Sequence, residues 1–258
     1  MDIKGFFEEI EHNPRYLKLR KGVTKSIAQY QLIDPNDHLM VAVSGGKDSA
    51  VLYVVLRDIM MRSPYPFQLT PVILDQKQPG FRIEAFRDWI TPFGQPLEVI
   101  EQDTYSIVKE KTPAGKTYCG LCSRLRRGIL YNYAVHRGFH KIVLGHHRDD
   151  VNTTLLLNAF YNGSLASMPA KLKSQDGRNT VIRPLIAIAE SETAHFAEKW
   201  SIPLIPCNLC GSQENLQRQE IKNLLFNLEK KAPHLGESLF AAQSNIKPLL
   251  LPTSQEII

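Results

Sequence analysis

Apolar runs recur along the chain, each followed by a stretch whose apolar residues return every third or fourth position. HLMVAV (38–43) predicts a buried strand and leads to a helix from Ser49 to about Met61. LTPVILD (69–75) predicts a second strand, with a helix around Ile83 to Ile90. PLEVIEQD (96–103) is a third, and HKIVLG (140–145) a fourth, entering a helix that starts near Asp149. VIRPLIAI (181–188) is a fifth. Strands alternating with helices predict an α/β fold, an open parallel sheet with helices on both faces. Before the first strand, residues 12–33 read as a basic amphipathic helix with Leu17, Ile27 and Leu32 among its apolar positions. Asp34-Pro35-Asn36-Asp37 closes it as a turn. Residues 104–122 read as a loop ending in CGLC, and residues 163–180 are polar, with Gly163, Pro169 and Gly177. After Gly211, NLQRQEIKNLLFNLEKKAPH and ESLFAAQSNI read as helices. The chain divides into an N-terminal helical extension (1–37), a sheet-bearing domain (38–210) and C-terminal helices (211–258).

A length of 258 residues with 43% hydrophobic content suits one large domain with appendages and a sizeable core. The opening MDIKGFFEEIEHNPRYLK lacks a signal-peptide core, and no run approaches the roughly 18 apolar residues that cross a bilayer. The expected location is cytoplasmic, with no membrane partner. The net charge of +5 is mild, but basic residues cluster at Arg15, Lys18, Arg20, Lys21 and Lys25, and again at Arg124, Arg126 and Arg127. Such clusters suit a polyanion bound in a salt-dependent way; by charge alone they equally suit solvated helix faces.

The 4 cysteines form two CxxC pairs, Cys119–Cys122 and Cys207–Cys210. In a cytosolic chain this spacing points to metal or redox chemistry rather than structural disulfides. Far more chain separates the pairs than a compact zinc ribbon spans. A tetrahedral zinc site, a pair of redox dithiols and an iron–sulfur cluster all fit the spacing.

VAVSGGKDSA (41–50) places a glycine-rich turn directly after the first strand. It is not a Walker A loop, because Asp48 follows Lys47 where that pattern needs Ser or Thr, and the dinucleotide G-x-G-x-x-G is absent. The chemistry is still that of a phosphate cradle. Gly45 and Gly46 let backbone N–H groups approach an anion, Ser44 and Ser49 add hydroxyls, Lys47 adds charge, and a helix N-terminus follows. SGGKDS after a strand resembles the PP-loop of the ATP pyrophosphatases, or adenine nucleotide alpha hydrolases, which cleave ATP to AMP and pyrophosphate. The resemblance implies that Ser44, Gly45, Gly46, Asp48 and Ser49 bind pyrophosphate, with Lys47 nearby.

CGLCSRLRRGILY, LGHHRDD, VIRPL, IPCNLCGSQENLQRQ and LDQKQPGF together resemble the tRNA-cytidine(32) 2-sulfurtransferases, from about residue 15 to about residue 230. That resemblance implies 2-thiocytidine formation in the tRNA anticodon loop through an adenylated base. It also implies a [4Fe–4S] cluster held by three cysteines: Cys119, Cys122 and one of the second pair, with Cys207 favoured and Cys210 the alternative. ATP and Mg²⁺ are the other implied cofactors. A cysteine desulfurase is the implied sulfur donor, and a homodimer the implied assembly. Asp48 and Asp150 are candidates for metal or nucleotide, Asp150 ahead of Asp149, and Cys207 for the sulfur chemistry. Asp75 is a candidate for ribose or adenine, Gly145 for close backbone approach to the nucleotide, and His146 and His147 for nucleotide or tRNA contact. If a helix follows Cys122, Arg124 and Arg127 share one face and Arg126 lies off it. Two other functions remain at this point: tRNA 2-thiouridine synthesis, and a non-catalytic ATP-binding redox sensor.

Overall fold

Period-two alternation along four strands sends side chains to two separate cores. The computed structural model describes residues 3–112, 119–205 and 214–246. The chain runs α1 (Ile3–Glu11), α2 (Pro14–Gln29), β1 (His38–Ala42), α3 (Lys47–Arg62), β2 (Gln68–Asp75), α4 (Glu84–Ile90) and β3 (Glu98–Glu101). It continues through α5 (Tyr105–Lys111), α6 (Cys119–His136), β4 (Lys141–Val143), α7 (Arg148–Tyr161), β5 (Lys171–Lys173) and β6 (Thr180–Ile182). It then enters α8 (Glu190–Lys199), α9 (Glu214–Lys231) and α10 (Leu235–Ala242). Leu39, Val41, Leu69, Ile73, Val143 and Ile182 join the large core with α2, α3 and α8. Their neighbours Met40, Val72, Ile142 and Val181 join the smaller core with Ala134 of α6 on the opposite face. The sheet is therefore covered on both sides, as its apolar runs require.

The strand order is β3-β2-β1-β4-β6-β5, parallel throughout except for β5, which runs antiparallel to β6 at the edge. The chain winds outward from β1 to β3, then returns to place β4 on the other side of β1. Open α/β sheets bind ligands where this reversal splits the connections, beyond the carboxyl ends of the two central strands. Here those ends lead into Ser44–Gly46 and Leu144–His147.

Several expected boundaries move. The helix expected over 12–33 is split: Asn13 caps α2 by accepting from the Arg15 and Tyr16 N–H groups at 3.0 and 3.1 Å, with Pro14 in the first turn, and α1 forms ahead of it. The loop expected over 104–122 contains α5, and CGLC opens α6 rather than ending a loop. The polar stretch 163–180 supplies β5, and the fifth expected strand stops at Ile182. α8, which the apolar pattern did not announce, follows. Among the described residues no helix is long and apolar enough to cross a membrane.

Candidate functional site

The phosphate-cradle residues form one tight turn between β1 and α3. Gly45 has φ +76°, a conformation that favours glycine, and a Cβ there would lie 2.6 Å from the Ile205 side chain. The Ile205 N–H donates to the Gly45 carbonyl at 2.9 Å, so the stretch leading to the second cysteine pair backs the loop. Gly46 caps α3 without a side-chain bond, leaving N–H groups of the first turn directed outward. Ser49 Oγ accepts from the Ser44 N–H at 3.1 Å and donates to the Gly46 carbonyl at 3.1 Å. Ser44 Oγ accepts from the Gly46 N–H at 3.3 Å. Gly145 also makes a close contact within the protein: a Cβ there would meet the Ser49 backbone nitrogen at 2.9 Å, so it lets the end of β4 approach α3.

Around the loop lies a network of shared charges. Lys47 Nζ is 3.1 Å from Asp48 Oδ2 and 2.7 Å from Glu190 Oε1. Lys222 of α9 reaches the other Glu190 oxygen at 3.2 Å. His147 is buried, with Nε2 3.4 Å from Asp150, 3.8 Å from Glu190 and 3.9 Å from Asp48. Arg218 of α9 pairs with Asp150 at 2.7 Å. Thr193 donates to the second Asp48 oxygen. Burial pushes the carboxyls of Asp150 and Glu190 upward. It is outweighed at Asp150 by His147 and Arg218, and at Glu190 by Lys47 and Lys222, so both lie below the usual range. Burial works against the Lys47 ammonium too, but Glu190 and Asp48 raise it. The ligand atoms of Asp48, His147 and Glu190 lie within 4.8 Å of one another, a donor set of a size to hold a cation.

The neighbouring Asp149 is otherwise engaged: it accepts from the Glu190 N–H at the start of α8 and pairs with Arg148 at 3.0 Å. Asp150 turns the other way, toward His147. Glu190 was missed by sequence reasoning; the signal available was an acidic residue opening a helix just past VIRPLIAI. Lys222 and Arg218 were missed as site residues as well.

Asp75 ends β2 and is tied to Lys77, through the N–H at 2.7 Å and Nζ at 3.1 Å. Next to it, Gln76 is buried, and its Oε1 accepts from Thr104 at 3.0 Å and from Cys122 Sγ at 3.3 Å. Cys122 is therefore a buried thiol in the first turn of α6, where the helix favours negative charge, one strand from the phosphate loop at the same sheet edge. The Cys119 side chain and all of Cys207 and Cys210 lie outside the described residues. Beyond Cys122, Arg124 and Arg127 are exposed on one face of α6 and Arg126 is half-buried. His146 is bonded through Nδ1 to Arg183 Nε at 3.2 Å; burial, then the guanidinium, hold its pKa down to about 4.

Residues 18–228 match the model of the PP-loop domain. A tRNA-cytidine(32) 2-sulfurtransferase from Bdellovibrio bacteriovorus is 51% identical over 235 residues, covering 91% of this chain and 90% of that protein. The chain belongs to the tRNA-cytidine(32) 2-sulfurtransferase family of PP-loop enzymes. A second relative of that name, from Marinobacter nauticus, is 51% identical over 93% of this chain and 80% of its own length. The fold of this family member is shared with the U34-tRNA thiolase NcsA from Methanococcus maripaludis, solved with its [4Fe-4S] cluster. The TM-score is 0.74 and the identity 21%, over 95% of this chain and 86% of that one.

Proposed function

We propose that the protein thiolates cytidine 32 of tRNA, using ATP to activate the base and a [4Fe–4S] cluster to deliver sulfur. The observation that carries this reading is the placement, at one sheet edge, of a phosphate cradle after β1 and a buried Cys122 thiol held beside β2. Family membership supplies the substrate: the relatives at 51% identity carry that activity in their names.

The 2-oxo oxygen of the cytidine attacks the α-phosphorus of ATP, and the bond to pyrophosphate breaks. A sulfur nucleophile at the sulfide level then adds to C2, and AMP leaves with the original oxygen. Ser44, Gly45, Gly46 and Ser49 receive the pyrophosphate on backbone N–H and hydroxyl groups. Lys47, released from Glu190 and Asp48, neutralises it. Asp48 and Asp150, with Glu190 beside them, offer the oxygen donors Mg²⁺ prefers, and the ion when bound offsets phosphate charge. Gly145 keeps β4 tight against the first turn of α3, and Asp75 stands at the edge where ribose or adenine would lie. Cys119, Cys122 and one of Cys207 and Cys210 would hold the cluster, a thiolate set that suits iron–sulfur chemistry. When bound, the cluster would supply iron to carry the incoming sulfur, with Cys207 favoured as its third ligand and Cys210 the alternative. Arg124 and Arg127 pair with no carboxylate among the described residues and offer an exposed basic face for tRNA phosphates. A base in a single-stranded loop leaves its stack at lower cost than one in a duplex. A cysteine desulfurase supplies the sulfur to a cytoplasmic homodimer in this reading.

The test is mass spectrometry of nucleosides from total tRNA, with and without the gene, with rescue by wild type and Cys119→Ala. Loss of 2-thiocytidine, restored only by wild type, is expected. Unchanged 2-thiocytidine in an organism that makes it would sink the proposal, and loss of a 2-thiouridine instead would reassign the base. tRNA-dependent pyrophosphate release by the purified protein separates an enzyme from a redox sensor.

A further inference from the structure

Past the carboxyl end of β6 the structure buries a charge without its opposite. Arg183 is 8% exposed. Its Nε donates to His146 Nδ1 at 3.2 Å and its Nη1 to the Pro169 carbonyl at 2.7 Å. Both acceptors are neutral near pH 7. No carboxylate among the described residues pairs with this guanidinium. Among the described residues the other buried acids and lysines all have ionic partners: Asp58 has Arg20 and Arg62, and Lys141 has Asp34 and Asp37. A buried cation with no counter-charge is costly, and a fold tolerates it where an incoming anion offsets the cost.

The surroundings say where that anion would come from. His146 continues β4, beside the Gly145 that touches the first turn of α3. Tyr131, from the helix that opens with Cys119 and Cys122, packs against the smaller core that holds Val181, two residues before Arg183 and on the same strand face. The backbone is fixed as well, the Arg183 N–H donating to the Ala170 carbonyl at 2.9 Å. Arg183 thus borders the edge that carries the phosphate loop and faces the cysteine-bearing helix. An arginine presents several N–H donors in a planar fork that matches phosphate oxygens.

We propose that Arg183 is a substrate-binding residue that takes a phosphate oxygen, from the nucleotide's α-phosphoryl group or from the tRNA backbone beside the reacting base. This rests on the function proposed above for the substrates, though its test needs no sulfur transfer.

The purified full-length protein, as wild type, Arg183→Met and Arg183→Lys, is titrated with α,β-methylene-ATP and, separately, with an unmodified tRNA transcript at fixed salt. Thermal melting of each apo protein is recorded alongside. The expected result for Arg183→Met is a fall of about ten- to a hundred-fold in affinity for one probe. Partial recovery in Arg183→Lys, and a melting temperature no lower than wild type, complete the expectation. A fall with the nucleotide assigns the α-phosphoryl group, and a fall with tRNA assigns the backbone phosphate. Unchanged affinity for both probes overturns the proposal. A lowered melting temperature with unchanged affinity in the folded fraction overturns it too, by assigning a purely structural role. Because binding is read directly, a loss of affinity in Arg183→Met found together with unchanged 2-thiocytidine in the gene deletion would sink the thiolation reading and leave this one standing.

Discussion

The two ends of α3 carry charge clusters of opposite design. Toward its C-terminal end, Asp58 is 1% exposed and accepts from Tyr16 Oη at 2.8 Å, Arg20 at 2.9 Å and Arg62 at 2.8 Å. One carboxylate is saturated by three donors from α2 and α3, and it bolts the N-terminal helix to the sheet layer. At the N-terminal end, Asp48 and Glu190 share Lys47, Lys222 pulls on Glu190 as well, and Asp150 divides itself between His147 and Arg218. These groups keep about a third or less of their side-chain surface open to solvent, enough for a ligand to exchange with them. A closed network stabilises the fold; an open one leaves its charges able to exchange partners with a ligand.

Asp58→Ala breaks the closed end and carries the largest expected effect. It removes the carboxylate of Arg20, one of the two carboxylates of Arg62 (Glu11 keeps the other pair) and the acceptor of the buried Tyr16 hydroxyl, at a cost of about 3–5 kcal/mol in urea-unfolding stability. The affinity of the folded fraction for ATP stays unchanged. Acid acts in the same direction. Burial pushes the Asp58 carboxyl up, Arg62, Arg20 and Tyr16 outweigh it, and the folded value is depressed. The resulting stability is present above the unfolded value and lost as pH falls through the folded one.

His146 sharpens the contrast at the open end. Its folded value of about 4 lies below the ordinary 6.5, so the unfolded chain binds a proton the folded one refuses between those values. Stability is full above pH 6.5 and falls with acidification toward pH 4, by up to about 3 kcal/mol. Urea melts across that window should show the slope in wild type and a flatter curve in His146→Gln.

Lys222→Ala probes the exchangeable pairs. Its partly exposed bridge to Glu190 is worth only about 0–1 kcal/mol in stability, whereas nucleotide affinity falls as Glu190 tightens on Lys47; calorimetric ATP titration reads the change. Smallest of all, Arg15→Ala removes a surface pair with Glu192 at 2.9 Å and should move urea stability by under about 1 kcal/mol.

The strands and the phosphate turn were legible because burial on both faces writes continuous apolar runs, and because Ser44–Ser49 combines a tight turn with anion donors. α5 was read as loop because one buried residue, Val108, anchors it. β5 was invisible because Lys171-Leu172-Lys173 is an exposed edge strand with no core face. α8 was hidden by its charged sequence, and with it Glu190. Arg218 and Lys222 are brought to the site by the packing of α9 against α7, and no local pattern in α9 records that destination. The same holds for Arg183: VIRPL marks a strand end, but the missing counter-charge exists only in three dimensions.

One contact made early in the loop has a mechanical consequence. The Gly45 carbonyl holds the Ile205 N–H, and the Ile205 side chain fills the space a Gly45 Cβ would need. Cys207 is two residues farther on, a span of chain reaching at most about 7 Å. The phosphate turn and Ile205 are thus two arms of one joint. Any change in the shape of the turn is therefore felt at Ile205, 160 residues later in the sequence, through one hydrogen bond and one filled space.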